Sequence, residues 1–141
     1  EEPVNPLALA LASEGTFVAR AYAGDIPRMT EIFMEAIKHK GFALVDVLQP
    51  CPSFNKVNTR EWYQGRVYDL QKEGHDVSDK DAAYKKTWED VETNYERIPV
   101  GIFYREERLT YRDEIPHLKD ATLLDLSKGS VDISKSLKTH A

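Results

Sequence analysis

The chain has 141 residues, 41% hydrophobic and 30% charged, which fits one globular domain with a real core and excludes a disordered composition. Its 24 acidic and 19 basic residues leave a formal net charge of −5, which argues against nucleic acid as a partner because phosphate binding needs a basic face. No run approaches the ~18 apolar residues of a membrane span, no basic segment precedes an apolar one as in a signal peptide, and the single cysteine, Cys51, rules out an internal disulfide and suits a cytoplasmic protein.

The chain opens EEPVNP without an initiator Met, as a processed, truncated or excised segment would. Residues 5–13 (NPLALALAS) predict a short, very apolar helix, with Asn5 as its cap, Pro6 in the first turn and Gly15 beyond its end. Residues 16–22 (TFVARAY) read as a strand. Asp25 then caps the clearest helix, residues 26–40, on which Ile26, Met29, Ile32, Phe33, Ala36 and Ile37 form one stripe. Gly41 stops it. Residues 42–48 (FALVDVL) are nearly continuously apolar, which predicts a strand buried on both faces, as in a parallel sheet. Residues 16–48 therefore make a βαβ unit, and the fold class is α/β: a three-layer, mainly parallel sheet with helices on both faces.

Further along, Thr59–Gln71 predicts a helix interrupted by Gly65, and EGHDV a turn. A second helix is expected from Ser78, opened by the capping pattern Ser78-x-x-Asp81. Residues 98–104 (IPVGIFY) predict a third strand. The polar residues 112–141 are expected to form an extended tail that wanders over a surface or a partner, after an α/β portion over residues 1–111.

Ligands of open α/β sheets collect just beyond the carboxyl ends of the strands. Cys51 lies there, in DVLQPCPSFN, between Pro50 and Pro52. The prolines fix φ and remove backbone donors, and Pro52 drives Cys51 into an extended conformation. Three readings of Cys51 stay open on chemistry alone: a small buried hydrophobe, a nucleophile that needs a nearby base, and a metal or cluster ligand whose fellows lie elsewhere. His39, His75, His117 and His140 show no pairing in their spacing and read as surface residues. Asp46, interrupting a buried strand, reads as a structural hydrogen-bond partner to a neighbouring loop. GHDVSDKDAA lacks the spacing of a Ca²⁺ loop and reads as turn plus helix cap. Trp62, Tyr63, Arg66 and Tyr68, with Lys56 and Arg60, have the types for base stacking, but helical spacing on an acidic chain favours packing. No glycine-rich phosphate loop is present.

Three segments, NPLALALASEGTFVAR, GFALVDVLQPCPSFN and IPVGIFYREERLTY, in this order and at these distances resemble the β subunit of the 2-oxoacid:ferredoxin oxidoreductases over most of residues 5–111. LQPCPSFN is the most specific piece, and GHDVSDKDAA is also typical. The resemblance implies a thiamin diphosphate-binding fold and decarboxylation of a 2-oxoacid, such as pyruvate or 2-oxoglutarate, with the acyl group passed to coenzyme A. It implies electron transfer through iron–sulfur clusters to ferredoxin. In that family the cysteine of the Gln-Pro-Cys loop is in many members one of four ligands to a [4Fe–4S] cluster; here that residue is Cys51. The family's CPGCG-like motif, a further cysteine and the GDG motif for Mg²⁺ and diphosphate do not occur in this chain. It therefore resembles the C-terminal half of such a subunit. Implied partners are the N-terminal half, α and in some members γ and δ subunits, and ferredoxin, in an oligomer. Alone, the chain is expected to be catalytically inactive and to bind none of these cofactors. The alternative is a non-catalytic assembly module of a split β subunit.

Overall fold

The computed structural model describes residues 4–127 together with 134 and 138. Two compact units divide at Arg108/Leu109. The first holds a four-stranded sheet in the order β2 (Ala43–Leu48), β1 (Phe17–Tyr22), β4 (Ile98–Arg105), β3 (Val67–Asp69).

Helix α1 (Pro6–Ala12) opens as its sequence dictates, with Asn5 Oδ1 accepting from Ala8 N at 3.1 Å and Pro6 in the first turn. Its end is a Schellman turn: Gly15 N–H reaches Ala10 O at 2.8 Å and Glu14 N–H reaches Leu11 O at 3.2 Å. The left-handed position is Glu14 (φ 62°), not the glycine. Leu7, Ala8, Ala10 and Leu11 are buried, so the helix that looks apolar all round spends most of its surface inside this chain.

Strand β1 (Phe17–Tyr22) is buried at all six positions. Asp25 caps helix α2 (Ile26–Lys38) through Arg28 N. Strand β2 (Ala43–Leu48) pairs parallel with β1, from Phe17↔Ala43 to Tyr22↔Leu48. Strand β4 (Ile98–Arg105) joins β1 antiparallel, with an irregularity at Val18/Ala19. β3 pairs parallel with β4, so two of the three pairings are parallel. Side chains alternate across the sheet. Val18 and Phe103 pack with Leu7 and Leu11 of α1 on one face; Phe17, Ala19 and Ala21 pack with Ile32 of α2 on the other. This gives the three layers.

Several expectations are corrected. β2 is an edge strand in this chain and is only half-buried, because nothing among the described residues pairs with its outer side. The helix expected over Thr59–Gln71 is only α3 (Arg60–Gln64); it stops at Gly65, and Val67–Asp69 form strand β3, parallel to β4. A ladder with Ile98–Val100 overrides helical periodicity there, as tertiary pairing commonly does with short β-branched and aromatic runs. The helix expected from Ser78 is two: α4 (Lys80–Lys86) and α5 (Glu89–Glu92). Its cap is Asp79, which accepts from Ala82 N at 2.9 Å, whereas Ser78 is held by Asp76 through both N–H and hydroxyl. The break falls at Thr87, fully buried, whose carbonyl accepts from Asn5 Nδ2 at 2.7 Å. α4 lies on the α1 face, where Ala83 joins the core. In the second unit the chain is helical, not extended, over α6 (Tyr111–Glu114), a 3₁₀ turn (Pro116–Leu118) and α7 (Leu123–Ser127). Most of the tail after Ser127 lies outside the described residues. No helix among them is long and apolar enough to cross a membrane.

Candidate functional site

β1 and β2 run in the same direction, so their carboxyl ends open into one space. A cleft of about 620 Å³ lies there, lined by Tyr22, Gly24, Gln49, Cys51, Lys56 and Arg60 among others. Cys51 is exposed in it in this chain. The loop carrying it is braced locally. Asn55 N–H reaches Cys51 O at 2.9 Å, and Asn55 Oδ1 accepts from both Val57 N and Asn58 N at 2.9 Å. Lys56 Nζ caps the Pro52 carbonyl. With φ fixed at Pro50 and Pro52, the thiol has a defined path into the cleft. Thr59 then starts α3 by accepting from Trp62 N, and Arg60 O receives the Tyr22 hydroxyl at 3.4 Å.

Beneath the cleft lies a buried charge network. Arg20, 5% exposed, donates Nε to Asp46 Oδ2 at 2.8 Å and Nη1 to Asp90 Oδ2 at 2.7 Å. The partner of Asp46 is therefore the side chain directly opposite on β1, not a loop. Composition could not reveal this, but an Arg and an Asp at matched positions of two adjacent buried strands could have. The Tyr22 and Tyr63 rings pack at 5.3 Å, tilted by 35°, and burial pushes both phenols above their ordinary range, so both stay neutral.

The histidines lie elsewhere. Among the described residues none lines the cleft, so the nucleophile reading of Cys51 has no base there. His39 is buried rather than on the surface: Thr16 Oγ1 spends its hydrogen on Phe42 O at 3.0 Å and therefore accepts from His39 Nε2–H at 2.9 Å. Gly41 (φ 136°) makes the room, since a Cβ there would stand 2.7 Å from that hydroxyl. Burial first, then the Arg105 charge, hold the His39 ring below its ordinary pKa. His75, half-buried, pairs with Phe103 O at 2.7 Å. The side chain of His117 and all of His140 lie outside the described residues. The aromatic–basic cluster divides: Trp62 packs edge-on to Tyr63 at 4.9 Å with Arg66 over its ring, while Tyr68 sits under Arg97 at 4.2 Å and bonds Glu89. GHDVSDKDAA is a turn and a cap, as expected. Among the described residues no three His, Cys, Asp or Glu side chains gather as a metal site.

The molecule is an open-sheet α/β protein with a cleft at the carboxyl ends of two adjacent parallel strands, the place where such sheets commonly take their ligands, and a proline-framed thiol at its rim. Residues 51–120 match the family that describes the C-terminal region of the pyruvate ferredoxin oxidoreductase beta subunit. A 2-oxoacid:ferredoxin oxidoreductase subunit beta of Sulfolobus sp is 41% identical over 97% of this chain and 47% of its own length. Its namesake in Saccharolobus solfataricus is 43% identical, over 79% and 39%. The structure of a 2-oxoglutarate:ferredoxin oxidoreductase from Magnetococcus marinus, with 2-oxoglutarate, coenzyme A and succinyl-CoA bound, superposes with a TM-score of 0.77 at 29% identity, over 100% of this chain and 46% of that one. The chain belongs to the 2-oxoacid:ferredoxin oxidoreductase β-subunit family. It spans less than half the length of these relatives.

Proposed function

We propose that the chain is the C-terminal portion of a β subunit that takes part in thiamin diphosphate-dependent oxidative decarboxylation of a 2-oxoacid, with the acyl group passed to coenzyme A and electrons to ferredoxin. In this reading the chain works in the cytoplasm, assembled with the N-terminal half of the subunit and with α and further subunits. The observation that carries it is the aimed, exposed thiol of Cys51 at the carboxyl ends of β1 and β2, in a chain of this family.

A [4Fe–4S] cluster takes four ligands, commonly thiolates. Cys51 fits one corner of it, and no other cysteine exists in the chain, so this chain alone does not fit the whole group. Nor does the cleft carry a metal-holding cluster for Mg²⁺ and a diphosphate among the described residues. The chain's own contribution is to hold one sulfur: Pro50, Pro52 and the Asn55 turn fix the path of the loop that carries it. The test is co-expression with the complementary subunits. Iron content and the cluster's EPR signal are expected to fall in Cys51→Ala, with thiamin binding retained; a normal signal with normal turnover would overturn the assignment.

A further inference from the structure

The charges around Arg20 do not balance. One guanidinium faces two carboxylates, and the Asp46 and Asp90 side chains are only 24% and 12% exposed. Among the described residues neither carboxylate has a second ion pair, so the network carries one net negative charge that water screens poorly. Arg20 Nη1 donates to Asp90 Oδ2, and Asp90 Oδ1 accepts from the Val91 amide at 2.8 Å. An ionised carboxylate has about four lone-pair sites, so Asp90 can accept further donors.

Asp90 stands in the wall of a cavity of about 340 Å³, with Leu48, Asn58, Trp62, Tyr63 and Tyr95 around it. Leu48 ends β2 and Asn58 ends the loop that carries Cys51, so both feet of that loop border the cavity. Tyr63 stands edge-on to Trp62 at 4.9 Å, and the Tyr95 ring lies 6.5 Å from Trp62, tilted by 50°. Tyr95 is held in the left-handed region (φ 63°), which is costly for a bulky residue. Its amide is tied to Asp90 O at 2.5 Å, which fixes the ring beside the acid. Aromatic rings set about a carboxylate make a site for a cation, because the ring faces and the acid attract the same sign.

Chemistry narrows the class of cation. A hard metal ion needs several oxygen ligands, and no three metal-binding side chains gather among the described residues. A guanidinium stacks on a ring face or forks onto a carboxylate. Here Arg66 already lies over Trp62 at 4.8 Å and Arg20 already holds Asp90. A primary ammonium is compact, with three rotatable donors, and suits rings set at 87° and 50° to one another. We infer that this cavity binds a primary ammonium group, which donates to Asp90 and lies among the rings of Trp62, Tyr63 and Tyr95. The group belongs either to a small amine or to a lysine side chain brought by a partner. The inference goes beyond the proposed function and does not rest on it, since it needs only the cavity and the charges of this chain.

The probe is n-butylammonium, titrated at constant ionic strength into the full 141-residue chain, with n-butanol as the neutral isostere. The readout is the indole N–H signal of Trp62 in NMR; the other tryptophan, Trp88, does not line the cavity and serves as control. The expected result is a saturating Trp62 shift at concentrations at least about tenfold below those at which n-butanol acts. Asp90→Asn keeps an acceptor for Arg20 and removes the charge, and is expected to weaken binding at least about tenfold. Tyr95→Gly removes one ring where φ suits glycine, so the backbone tolerates it, and should weaken binding about threefold. No saturable Trp62 shift, an equal response to n-butanol, or full binding by either variant would overturn the inference. Titration of the chain co-expressed with the complementary subunits distinguishes the source. A Trp62 response retained there assigns the site to a small amine. A response lost there, with assembly weakened by an Asp90→Asn chain that keeps its circular dichroism, assigns it to a partner's lysine. A response lost with assembly unaffected would overturn the inference.

Discussion

Arg20 stands opposite Asp46 across β1–β2 and reaches Asp90 of α5, so one guanidinium neutralises two carboxylates that are mostly withdrawn from water. Removing it strands both. Arg20→Ala is expected to cost about 3 kcal/mol in urea unfolding, the low end for a broken buried ion pair because Asp46 keeps some solvent contact. Asp46→Asn, which keeps an acceptor for Nε, should cost less than half of that. His39 gives the fold a pH dependence of known sign. Its folded pKa lies below the unfolded value of 6.5, so the unfolded chain binds the extra proton first. Its contribution is complete above about pH 6.5 and is lost as pH falls through the folded value. His39→Gln, which still offers a donor to Thr16, should flatten the slope of stability between about pH 7 and 5. An unchanged slope would mean that the carboxylates alone set it. At Cys51 the expectation is the reverse of a core effect: Cys51→Ala leaves the free energy of urea unfolding within about 0.5 kcal/mol of wild type, as for an exposed position.

At the scale of elements, caps and pairing compete. Asp79 caps α4, so Asp79→Ala should cost about 1 kcal/mol and Ser78→Ala distinctly less. Equal losses would restore the cap that the sequence pattern suggests. That pair also shows what was legible. Asn5, Asp25, the βαβ unit and β4 could be read because cap chemistry and strong periodicity agreed with the tertiary arrangement. β3 could not be read, since three residues next to a helical pattern become a strand only through Ile98–Val100, about 30 residues away. The half-exposure of β2 escaped for a different reason: its sequence describes a strand covered on both sides, and this chain supplies cover on one. At the site, Cys51 and its prolines were visible as local chemistry. The absence of a described histidine from the cleft, and the Arg20–Asp46–Asp90 network beneath it, depend on side chains 26 and 70 residues apart in sequence and had no local mark.

For the molecule as a whole, Leu9 of α1, Ile26, Phe33 and Ile37 of α2, and Phe42 are exposed apolar side chains, and apolar surface of that kind promotes association. The purified chain is expected to run as dimers or larger species in size-exclusion chromatography at high concentration, and to contain no stoichiometric iron. A clean monomer, or a coloured protein with four irons per chain, would contradict the respective expectation. The antiparallel seam between β1 and β4 also has a consequence for how the protein is made. Phe17 and Val18 meet Arg105 and Tyr104, more than 80 residues later in the chain. At roughly 5–20 residues per second on the ribosome, β1 is finished roughly 4–16 seconds before its second neighbour is synthesised. During that interval the most buried strand of the protein stands with one side open, long enough for a chaperone to find it, and slowing translation between residues 22 and 98 would lengthen the exposure.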